Sequence, residues 1–411
     1  MEDSCNILFI SYDGLAESLA QSQVLPYLIG LAKKNNNITK IKLLTYDKPK
    51  DVADKSSIKQ LSRMLEEVGI KWISIRYHKR PLILSTLFDV CRGIWISLLL
   101  SKQYKIRIVH ARSYVPALIG MFLKKFYGKK FIFDMRGFWA DERIEGGIWK
   151  KNFLYHIAKY FEKAFLLNAD IIITLTESAK NEIGSFAYLS KSMSEIFVIP
   201  TAVDLKTFGL DKNNGIHEDL KRTLTNKFVF VYIGSLGTWY ELDGLYNFFI
   251  KAKELITNEH LLILTKQYEL ADLKRKEKGL DISDVTISQV PHKDIPDYLN
   301  KAHAGLAFYK PGYSRKGCCP IKVGEYLACG LPVIINEGVG DIDQIIRKEG
   351  VGAVIPSFID SQYIEAINKI KELLKEPLVL KRRCRMVAED YFSLDKGIEK
   401  YQQIYQKLLK E

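Results

Sequence analysis

Short apolar runs alternate with longer amphipathic stretches along the whole chain, and this alternation predicts the fold. Runs rich in Ile, Val, Leu and Phe have the length and composition of buried strands. The predicted strands are residues 6–11, 40–46, 70–76, 106–110, 129–134, 171–175, 196–199, 228–233, 261–264, 285–288, 304–309, 331–335 and 353–355. Helical patterns fill most of the gaps, the first near residues 21–34. Strands that alternate with helices are typical of a parallel sheet covered on both faces, so we expect an α/β fold.

A polar break divides this pattern into two series. The chain becomes polar between residues 201 and 215, and the strand pattern then resumes. A length of 411 residues suits two domains of ordinary size. Two Rossmann-like domains imply a ligand-binding cleft between them. We expect a first domain, a second domain and a C-terminal helical segment over residues 1–203, 204–385 and 386–411.

The stretch at residues 320–333, PIKVGEYLACGLPV, contains a helix-forming run that Gly330 stops and a short strand that follows. Lys322 and Glu325 are spaced i, i+3 and therefore share a helix face. The helix starts at Pro320 after a loop rich in Gly, Ser and basic residues, so its positive end faces any anion in the crevice. An anion site and a solvated pair of Lys322 with Glu325 both fit this spacing.

The predicted strand at residues 228–233 runs into a glycine-containing loop, Gly234-Ser235-Leu236-Gly237-Thr238. Glycines let backbone N–H groups approach a diphosphate closely, and Ser235 or Thr238 adds a hydroxyl donor. A plain turn fits the same residues. The loop lacks the third glycine of a dinucleotide fingerprint and the Lys-Ser/Thr of a P-loop, so NAD and ATP chemistry are not supported.

Acids and arginines cluster at the end of the predicted strand 129–134. The run FDMRGFWADER contains Asp134, Arg136 and Asp141, and His110 ends the neighbouring strand. Charges at the carboxyl edge of a sheet are costly to bury unless they pair or meet a ligand. A ligand site fits this pattern, and so does a structural ion-pair network beside a core histidine.

Positive charge is concentrated in one block of the chain. Residues 79–163 hold 17 Lys and Arg against 6 Asp and Glu, an excess of 11 out of the formal +13. The block also carries aromatic and apolar runs, a combination that suits an anionic membrane surface. Solvated helices fit as well, whereas no helix-turn-helix, zinc-finger or RNA-binding signature supports nucleic acid. The most apolar stretch, residues 81–100, contains Asp89 and Arg92, so we expect it to be interfacial or buried rather than membrane-spanning.

The six cysteines form no C-x-x-C pair and no zinc spacing with the seven histidines. We expect reduced thiols in a cytosolic protein, with neither disulfide nor structural metal. The acidic start, Met1-Glu2-Asp3, leads directly into a strand, so no signal peptide is expected. Asp341-Ile342-Asp343 has the D-x-D form of a divalent-metal site, but helix capping is the favoured interpretation.

Taken together, these motifs resemble the GT-B glycosyltransferases of family 4, the retaining, nucleotide-sugar-dependent class used in bacterial cell-surface polysaccharide synthesis. The resemblance spans nearly the whole chain and rests on SYDGL, QSQVLPYL, VHARSY, FDMRGFWADER, IPTAVD, YIGSLGTWYE and PIKVGEYLACGLPV. It implies two Rossmann-like domains facing a central cleft, with the acceptor on the first and the nucleotide sugar on the second. It also implies a closing helical segment, with Tyr391-Phe392 and with Tyr401 and Tyr405, that crosses back to the first domain.

The resemblance implies roles for individual residues. Glu325 matches the second acid of the family's paired-glutamate motif, which binds the ribose hydroxyls, whereas Gly317 stands at the position of the first acid. The usual basic pair after the glycine loop is absent, since Ser235 and Glu241 stand nearby. Candidates to supply the missing charge are Lys266, Arg315, Lys316 and Lys322. The expected donor-binding residues are Gly234, Ser235, Gly237, Lys266, Pro320, Lys322 and Glu325, and the expected catalytic residues are His110, Asp134, Arg136 and Asp141.

The implied function is transfer of a sugar, with retention of configuration, from a UDP- or GDP-sugar to a lipid-linked or surface-polysaccharide acceptor. No metal or other cofactor and no nucleic acid is expected. We expect a cytoplasmic enzyme, peripheral at the inner face of the plasma membrane and held there through residues 79–163. Two alternatives stay open, namely a nucleotide-sugar epimerase on the same scaffold and a catalytically degenerate nucleotide-binding subunit.

Overall fold

The computed structural model describes residues 5–34, 39–190, 194–210 and 218–410, which fold into two compact units. The first unit comprises Met1–Ile144, Trp149–Pro200 and Leu394–Glu411, and the second comprises Glu145–Ile148 and Thr201–Ser393. Each unit is built on one parallel β-sheet. The α/β class and the two Rossmann-like domains expected from the sequence are confirmed.

In the first unit, seven strands pair in parallel in the order β3-β2-β1-β4-β5-β6-β7. The strands are β1 (Cys5–Ser11), β2 (Thr39–Asp47), β3 (Lys71–Arg76), β4 (Ile106–Arg112), β5 (Lys130–Asp134), β6 (Ile171–Thr174) and β7 (Glu195–Val198). The order of strands reverses between β1 and β4. Ligands of such sheets bind outside the carboxyl ends of the strands at this reversal.

In the second unit, six strands pair in parallel in the order β10-β9-β8-β11-β12-β13. The strands are β8 (Phe228–Ile233), β9 (Glu259–Leu264), β10 (Val285–Ser288), β11 (Ala304–Ala307), β12 (Val333–Asn336) and β13 (Gly352–Ile355). The reversal here lies between β8 and β11. Every strand predicted from the sequence coincides with one of these or with a strand of the first unit, with ends displaced by two residues or fewer.

Helices connect successive strands in both units. They are α1 (Ser18–Gln23), α2 (Leu25–Lys34), α3 (Lys55–Glu67), α4 (Leu82–Tyr104), α5 (Tyr114–Tyr127), α6 (Trp139–Glu145), α7 (Phe153–Asn168), α8 (Glu177–Gly184), α9 (Glu218–Leu224), α10 (Leu242–Leu255), α11 (Tyr268–Glu277), α12 (Ile295–Leu299), α13 (Ile321–Ala328), α14 (Ile342–Glu349), α15 (Asp360–Leu373), α16 (Pro377–Tyr391) and α17 (Leu394–Lys410). The helix predicted near residues 21–34 is thus two helices, which meet at Val24.

The units differ from the predicted domains at their boundaries. The second unit starts at Thr201, where we expected residue 204, and residues 211–217 of the predicted linker lie outside the described residues. The predicted C-terminal segment, residues 386–411, starts inside α16, which belongs to the second unit. Arg385 of that helix donates from Nη1 to the carbonyls of Phe208 (2.7 Å) and Ala328 (3.1 Å), and this anchors α16 there.

The last helix, α17, belongs to the first unit, as the family resemblance implied for the C-terminal helix. Its Ile398 lies so close to Gly30 that a Cβ on that glycine would be 2.1 Å from Ile398 Cδ1. Its Tyr401 packs edge-on against Tyr27, with ring centroids 5.2 Å apart. Helix α17 therefore lies directly on α2, and the glycine allows the close approach.

Helix α4 exposes many large apolar side chains while it buries several polar ones. Its buried side chains include Ser85, Asp89, Ser97 and Ser101, whereas its exposed side chains include Ile83, Leu84, Leu87, Phe88, Trp95 and Leu99. Within the part of the chain that the structure describes, residues Ile83–Tyr104 are the one helical stretch long and apolar enough to cross a membrane. Only 33% of its most apolar window is buried. An exposed apolar face of this size marks an interaction surface.

Candidate functional site

The first candidate site is assembled where the strand order of the second unit reverses. The glycine loop follows β8, and α13 follows β11, which is the neighbouring strand. An antiparallel bridge between Tyr240 and Tyr309 joins the two segments just beyond the strands. The sheet therefore brings together two motifs that are about 80 residues apart in sequence, as expected for parallel strands whose carboxyl ends share one edge.

The glycine loop has the backbone conformations that glycine permits. Gly234 and Gly237 have φ angles of +108° and +72°, which side chains other than glycine rarely adopt. The Tyr232 hydroxyl donates to the carbonyl of Ser235, and the Leu236 N–H donates to Gln267 Oε1 at 2.7 Å. Ser235 itself is exposed. The side chains of Tyr232 and Gln267 thus hold the loop by hydrogen bonds to its backbone, while Ser235 faces solvent.

Helix α13 packs closely onto the sheet, with Pro320 at its N-cap. The Tyr326 hydroxyl accepts from the Ile233 N–H at 3.0 Å and donates to the Leu306 carbonyl at 3.2 Å. A Cβ on Gly305 would lie 2.4 Å from the Tyr326 ring, so this strand position admits only glycine. Tyr326, in the second half of α13, thereby holds the helix against β8 and β11.

Lys322 of α13 is enclosed by tyrosines. Its Nζ lies 4.0 Å from the ring centroid of Tyr232, 4.2 Å from that of Tyr240 and 5.8 Å from that of Tyr309. The residue is 5% exposed, and Nζ has no hydrogen-bond partner among the described atoms. Burial lowers the pKa of Lys322 to about 7, and the charge of Glu325 opposes that shift. The aromatic faces also favour the ammonium form.

The enclosed ammonium lies next to the glycine loop. A Cβ built on Gly234 would lie 3.5 Å from Lys322 Nζ. A buried cation without a hydrogen-bond partner costs free energy, so it is a strong candidate to receive an anionic ligand. The N-terminal turn of α13 adds unpaired N–H groups and the positive end of the helix dipole. This arrangement is suited to a diphosphate.

Glu325, one turn further along α13, pairs with His292 rather than with Lys322. His292 Nε2 lies 2.7 Å from Glu325 Oε1, and the His292 ring packs against Phe208 with centroids 5.2 Å apart. The hydrogen bond to Glu325 raises the pKa of His292. His292 was not predicted from the sequence, although it follows the carboxyl end of β10 by a few residues. The solvated pair of Lys322 with Glu325 is therefore not what the structure shows.

The structure also places the predicted donor-binding residue Lys266 and four further residues that the sequence analysis discussed. Lys266 is exposed and follows β9, and Gly317 is buried in the 3₁₀ turn Tyr313–Gly317. Glu241 caps α10 by accepting from the Gly244 N–H at 3.4 Å. Asp343 of the D-x-D string accepts from the Gly338 N–H at 2.9 Å. Asp341 is the N-cap of α14 but makes no side-chain capping hydrogen bond, so the capping interpretation is not what the structure shows.

A second cluster lies in the first unit, at the ends of β4 and β5. His110 Nδ1 is 2.7 Å from the Tyr405 hydroxyl, and His110 Nε2 is 3.5 Å from Asp134 Oδ2. The Tyr401 hydroxyl donates to the same carboxylate oxygen at 3.1 Å. Burial lowers the pKa of His110, so the ring is neutral, and we assign its single proton to Nε2, facing Asp134. Both ring nitrogens of His110 thus interact with side chains of the first unit itself.

Two arginines surround Asp134. Arg112 Nη1 lies 3.7 Å from Asp134 Oδ2, and Arg136 Nη1 lies 3.8 Å from Asp134 Oδ1. Burial would raise the pKa of Asp134, but Arg136, His110 and Arg112 outweigh it and lower the pKa to about 2. Arg136 has a φ of +62°, and a left-handed conformation at a residue with a side chain is typical of functional sites.

Asp13 joins this cluster without having been predicted. It lies two residues after β1, which neighbours β4, and so is placed at the reversal of strand order. Burial raises the pKa of Asp13, and the positive charge of Arg112 opposes this most strongly. Its place two residues after the first predicted strand is the signal that could have identified it.

Asp141, by contrast, belongs to an ion-pair network. It accepts from Lys159 Nζ at 2.9 Å and from the Tyr155 hydroxyl at 2.8 Å, both on α7. Lys159 also pairs with Glu162, which accepts from the Tyr114 hydroxyl at 2.6 Å. This network joins α6 to α7. Asp141 therefore fits the structural ion-pair network that the sequence left open as an alternative to a ligand site.

Two family models match the chain in succession. The model described as Glycosyltransferase Family 4 matches residues 44–207, and that described as Glycosyl transferases group 1 matches residues 217–389. The chain belongs to the GT-B glycosyltransferases of family 4. The two matches change over between residues 207 and 217, shortly after the units change at Pro200 and Thr201, so each model covers most of one unit of this glycosyltransferase.

Solved structures with the same fold cover the whole glycosyltransferase. Sucrose-phosphate synthase from Thermosynechococcus elongatus is 17% identical with a TM-score of 0.70, covering 98% of this chain and 99% of that one. Anabaena HepE in complex with UDP and glucose is 15% identical with a TM-score of 0.66, covering 98% of both chains. A Listeria monocytogenes structure named for UDP-N-acetylglucosamine 2-epimerase is 15% identical with a TM-score of 0.61, covering 99% and 97%. At these identities the likeness shows the fold.

Proposed function

We propose that this glycosyltransferase moves a sugar, with retention of configuration, from a UDP- or GDP-sugar to a lipid-linked or surface-polysaccharide acceptor. The observation that carries the proposal is the ammonium of Lys322, buried without a hydrogen-bond partner beside the glycine loop. Anabaena HepE, which has the same fold, has been solved with UDP and glucose and with UDP-glucose. The proposed donor is therefore a nucleotide sugar bound on the second unit.

The proposed chemistry follows from where charge develops. As the bond between sugar and diphosphate breaks, negative charge grows on the leaving phosphate. Lys322, the glycine-loop N–H groups and the start of α13 at Pro320 are aimed at that charge, and one such donor is typically worth about 2.7–4 kcal/mol. We propose that they supply this stabilisation without a metal ion. The acceptor hydroxyl then attacks from the same face of the sugar, and the departing phosphate takes its proton.

Glu325 is the proposed ribose ligand. Its Oε1 is engaged by His292, which leaves Oε2 for the ribose hydroxyls. A hydrogen bond to a charged group is worth about 1.5–3 kcal/mol, enough to affect nucleotide affinity markedly. Lys266 and Ser235, which are both exposed, are proposed to contact the phosphates or the sugar. We keep the proposal that the acceptor and the sugar are bound by His110, Asp134, Arg136 and Asp141. Arg136 is the best suited of these to contact a substrate, because its backbone is strained.

A donor screen tests this proposal. UDP-sugars and GDP-sugars should raise the melting temperature of the purified chain, because a ligand at about 100 times its Kd stabilises by ~2.7 kcal/mol. The stabilising donor should then release UDP or GDP when an acceptor extract is added. The variant Lys322→Met should lose the stabilisation, whereas Glu337→Ala, at an exposed acid paired with Arg347, should retain it. Stabilisation by no nucleotide sugar would overturn the proposal.

Two alternatives predict different products from the same assay. The likeness to the Listeria structure favours a nucleotide-sugar epimerase, which would interconvert the donor sugar without any acceptor and without releasing the nucleotide. The presence of Gly317 where the family has an acid favours a nucleotide-binding subunit, which would bind without transfer or hydrolysis. Chromatography of nucleotides and sugars after incubation with and without acceptor separates the three outcomes.

We further propose that the enzyme is cytoplasmic and peripheral at the inner face of the plasma membrane. The exposed apolar side chains of α4 support this, because they lie on the block that carries the excess of positive charge. Apolar burial and attraction to anionic lipids together hold such helices in the membrane interface.

Vesicle sedimentation tests the membrane contact. Vesicles containing phosphatidylglycerol should bind the protein at low salt and release most of it at high salt. The double variant Leu87→Glu and Trp95→Glu should reduce binding strongly. The matched control is Leu273→Glu on α11, where an equally exposed leucine lies outside α4. Equal binding of the wild type to neutral and anionic vesicles, or none at low salt, would contradict the proposal.

A further inference from the structure

A buried carboxylate at the carboxyl edge of the first unit's sheet is bound by three donors. Asp89 of α4 is fully buried. Its Oδ1 lies 2.6 Å from His78 Nδ1, and its Oδ2 accepts from the His78 backbone N–H at 3.0 Å and from the Tyr12 hydroxyl at 3.2 Å. Tyr12 directly follows β1, and His78 lies two residues after β3. The pair of His78 with Asp89 is therefore placed at the edge where sheets of this kind bind ligands.

This pair leaves one ring nitrogen of His78 available. A carboxylate that accepts from Nδ1 places the ring proton there, so Nε2 of the neutral ring carries a lone pair. The His78 side chain is 31% exposed, and Nε2 has no hydrogen-bond partner among the residues that the structure describes. A histidine oriented by a carboxylate, with its second nitrogen open, is suited to bind and position a hydroxyl group. The chemistry proposed above makes no use of this histidine.

Exposed apolar side chains of α4 run past this histidine. The Phe88 ring packs edge-on against the His78 ring, with centroids 5.2 Å apart, yet Phe88 is more than half exposed. Leu84, Trp95 and Leu99 are more than half exposed as well. Steps of four, seven and four residues place these side chains on one side of the helix, and we call them the α4 stripe. At the rise of an α-helix the stripe is about 22 Å long.

The charges next to the α4 stripe are positive. Lys79 and Arg80 are exposed and lie between His78 and the start of α4. The sequence of α4 contains a single acid, the buried Asp89, so no carboxylate of this helix opposes them at the surface. A hydroxyl-binding nitrogen, two cations and an apolar stripe therefore follow one another. A sugar linked through phosphate to a hydrocarbon chain presents the complementary groups in the same order.

We propose that the first unit binds such a molecule through Nε2 of His78, the cations of Lys79 and Arg80, and the α4 stripe. Nε2 accepts a hydrogen bond from a hydroxyl of the sugar, the cations meet the phosphate, and the chain lies along the stripe. That this molecule is the acceptor of the transfer rests on the proposed function, whereas its binding does not. In the proposed function α4 contacts the membrane, which is where the chain of a lipid-linked acceptor lies.

Octyl β-D-glucoside, below its micelle concentration, is the first probe because it joins sugar hydroxyls to an apolar chain. NMR spectra of the histidine ring nitrogens report the contact directly. We expect the Nε2 signal of His78 to shift on titration with the glucoside, and glucose at the same concentration to leave it in place. His156, exposed on α7 and packed edge-on against Tyr155, is the matched control whose ring signals should not move.

Two variants of His78 separate ligand binding from a structural role. His78→Asn places an amide N–H group near the position of Nδ1, so it keeps a donor for Asp89 but loses Nε2. His78→Gln places its amide near the position of Nε2 and loses the bond to Asp89. Backbone amide shifts of α4 then measure the affinity for the glucoside. His78→Asn should weaken binding by about twofold to tenfold, the range for one hydrogen bond, and His78→Gln should weaken it less.

The apolar and the charged parts of the site are tested separately. Phe88→Ala should weaken binding of the glucoside, whereas Phe153→Ala, at an even more exposed phenylalanine on α7, should not. Farnesyl diphosphate, which has a chain and phosphates but no sugar hydroxyl, is the second probe. It should compete with the glucoside. The double variant Lys79→Glu and Arg80→Glu should weaken its binding by at least about tenfold, while His78→Asn should leave its affinity unchanged.

Several results would overturn the proposal. It fails when the glucoside moves no ring signal of His78 or moves those of His156 equally, when glucose alone has the same effect, or when farnesyl diphosphate does not compete. It also fails when His78→Gln binds the glucoside more weakly than His78→Asn, because His78 then serves only to hold Asp89. These titrations contain no nucleotide sugar. A protein that binds both probes as expected but no nucleotide sugar refutes the proposed function and leaves this site established.

Discussion

Glu325 and His292 form a hydrogen-bonded pair, with Oε1 and Nε2 2.7 Å apart, although 33 residues separate them in the chain. The Glu325 side chain is 4% exposed and that of His292 is 54% exposed, so the histidine covers one edge of a nearly buried carboxylate. The raised pKa of His292 shows that the pair favours the charged imidazole. The pair gives Glu325 a fixed orientation on α13, and two predictions follow from it.

Replacing Glu325 by Ala should weaken UDP binding by at least about tenfold, because a carboxylate that accepts from ribose hydroxyls is worth ~1.5–3 kcal/mol. Calorimetry with UDP and GDP measures the loss. Glu337→Ala is the control, since this exposed acid pairs with Arg347 on the same unit. Unchanged affinity in Glu325→Ala, with an unaltered circular dichroism spectrum, would remove Glu325 from ribose recognition.

Replacing His292 by Ala should weaken UDP binding by a smaller factor, about twofold to tenfold, because one hydrogen bond that orients Glu325 is lost. His292→Gln should bind nearly as the wild type does, since its amide N–H group can take the place of Nε2. The decisive ligand is 2′,3′-dideoxy-UDP, which lacks the ribose hydroxyls. If His292 acts through Glu325, wild type and His292→Ala should bind this analogue equally, and a difference would point to a direct contact instead.

Binding of UDP should be linked to uptake of a proton by Lys322. In the free protein the pKa of Lys322 is lowered to about 7, and a bound diphosphate raises it. Below about pH 7 the lysine is already protonated, so little uptake is expected. Above that pH the uptake should approach one proton per UDP, and affinity should fall by up to about tenfold per pH unit.

Calorimetry in two buffers of different ionisation enthalpy measures this proton uptake directly. Lys322→Met provides the control, because it has no group at this position to titrate. A wild-type protein that takes up no proton at pH 8 would show that the diphosphate does not meet Lys322.

Replacing Asp134 by Asn should destabilise the first unit by about 3–5 kcal/mol, because Arg112 and Arg136 then lose a buried counter-charge. The pKa of Asp134 is lowered to about 2, so its contribution is complete above the ordinary aspartate pKa and disappears as the pH falls through about 2. Urea unfolding at neutral pH measures the loss. Asp360→Asn, at an exposed acid, should change stability little, and an equally small change in Asp134→Asn would contradict the buried ion pair.

The strands and most helices could be predicted from the sequence because burial and periodicity are local signals. The apolar runs became β1–β13 with small shifts at their ends, and the stretch 320–333 became α13, Gly330 and β12. Gly234 and Gly237 were recognised as loop glycines, and both have positive φ angles. The boundary of the last segment was less accurate, because α16 and α17 carry similar helical patterns but pack on different units.

The sequence by itself determined that Lys322 and Glu325 share a helix face and that a glycine loop follows the strand at residues 228–233, because helix spacing and strand ends follow from nearby residues. The pairing of β8 with β11, which sets this loop beside the helix, was decided by the tertiary structure. Only the tertiary structure decided what each side chain faces. Tyr232 and Tyr309, which enclose Lys322, come from two other strand ends, and the partner of Glu325 comes from the loop after β10. Such contacts depend on how separate segments pack, and the spacing of residues within one segment carries no information about them.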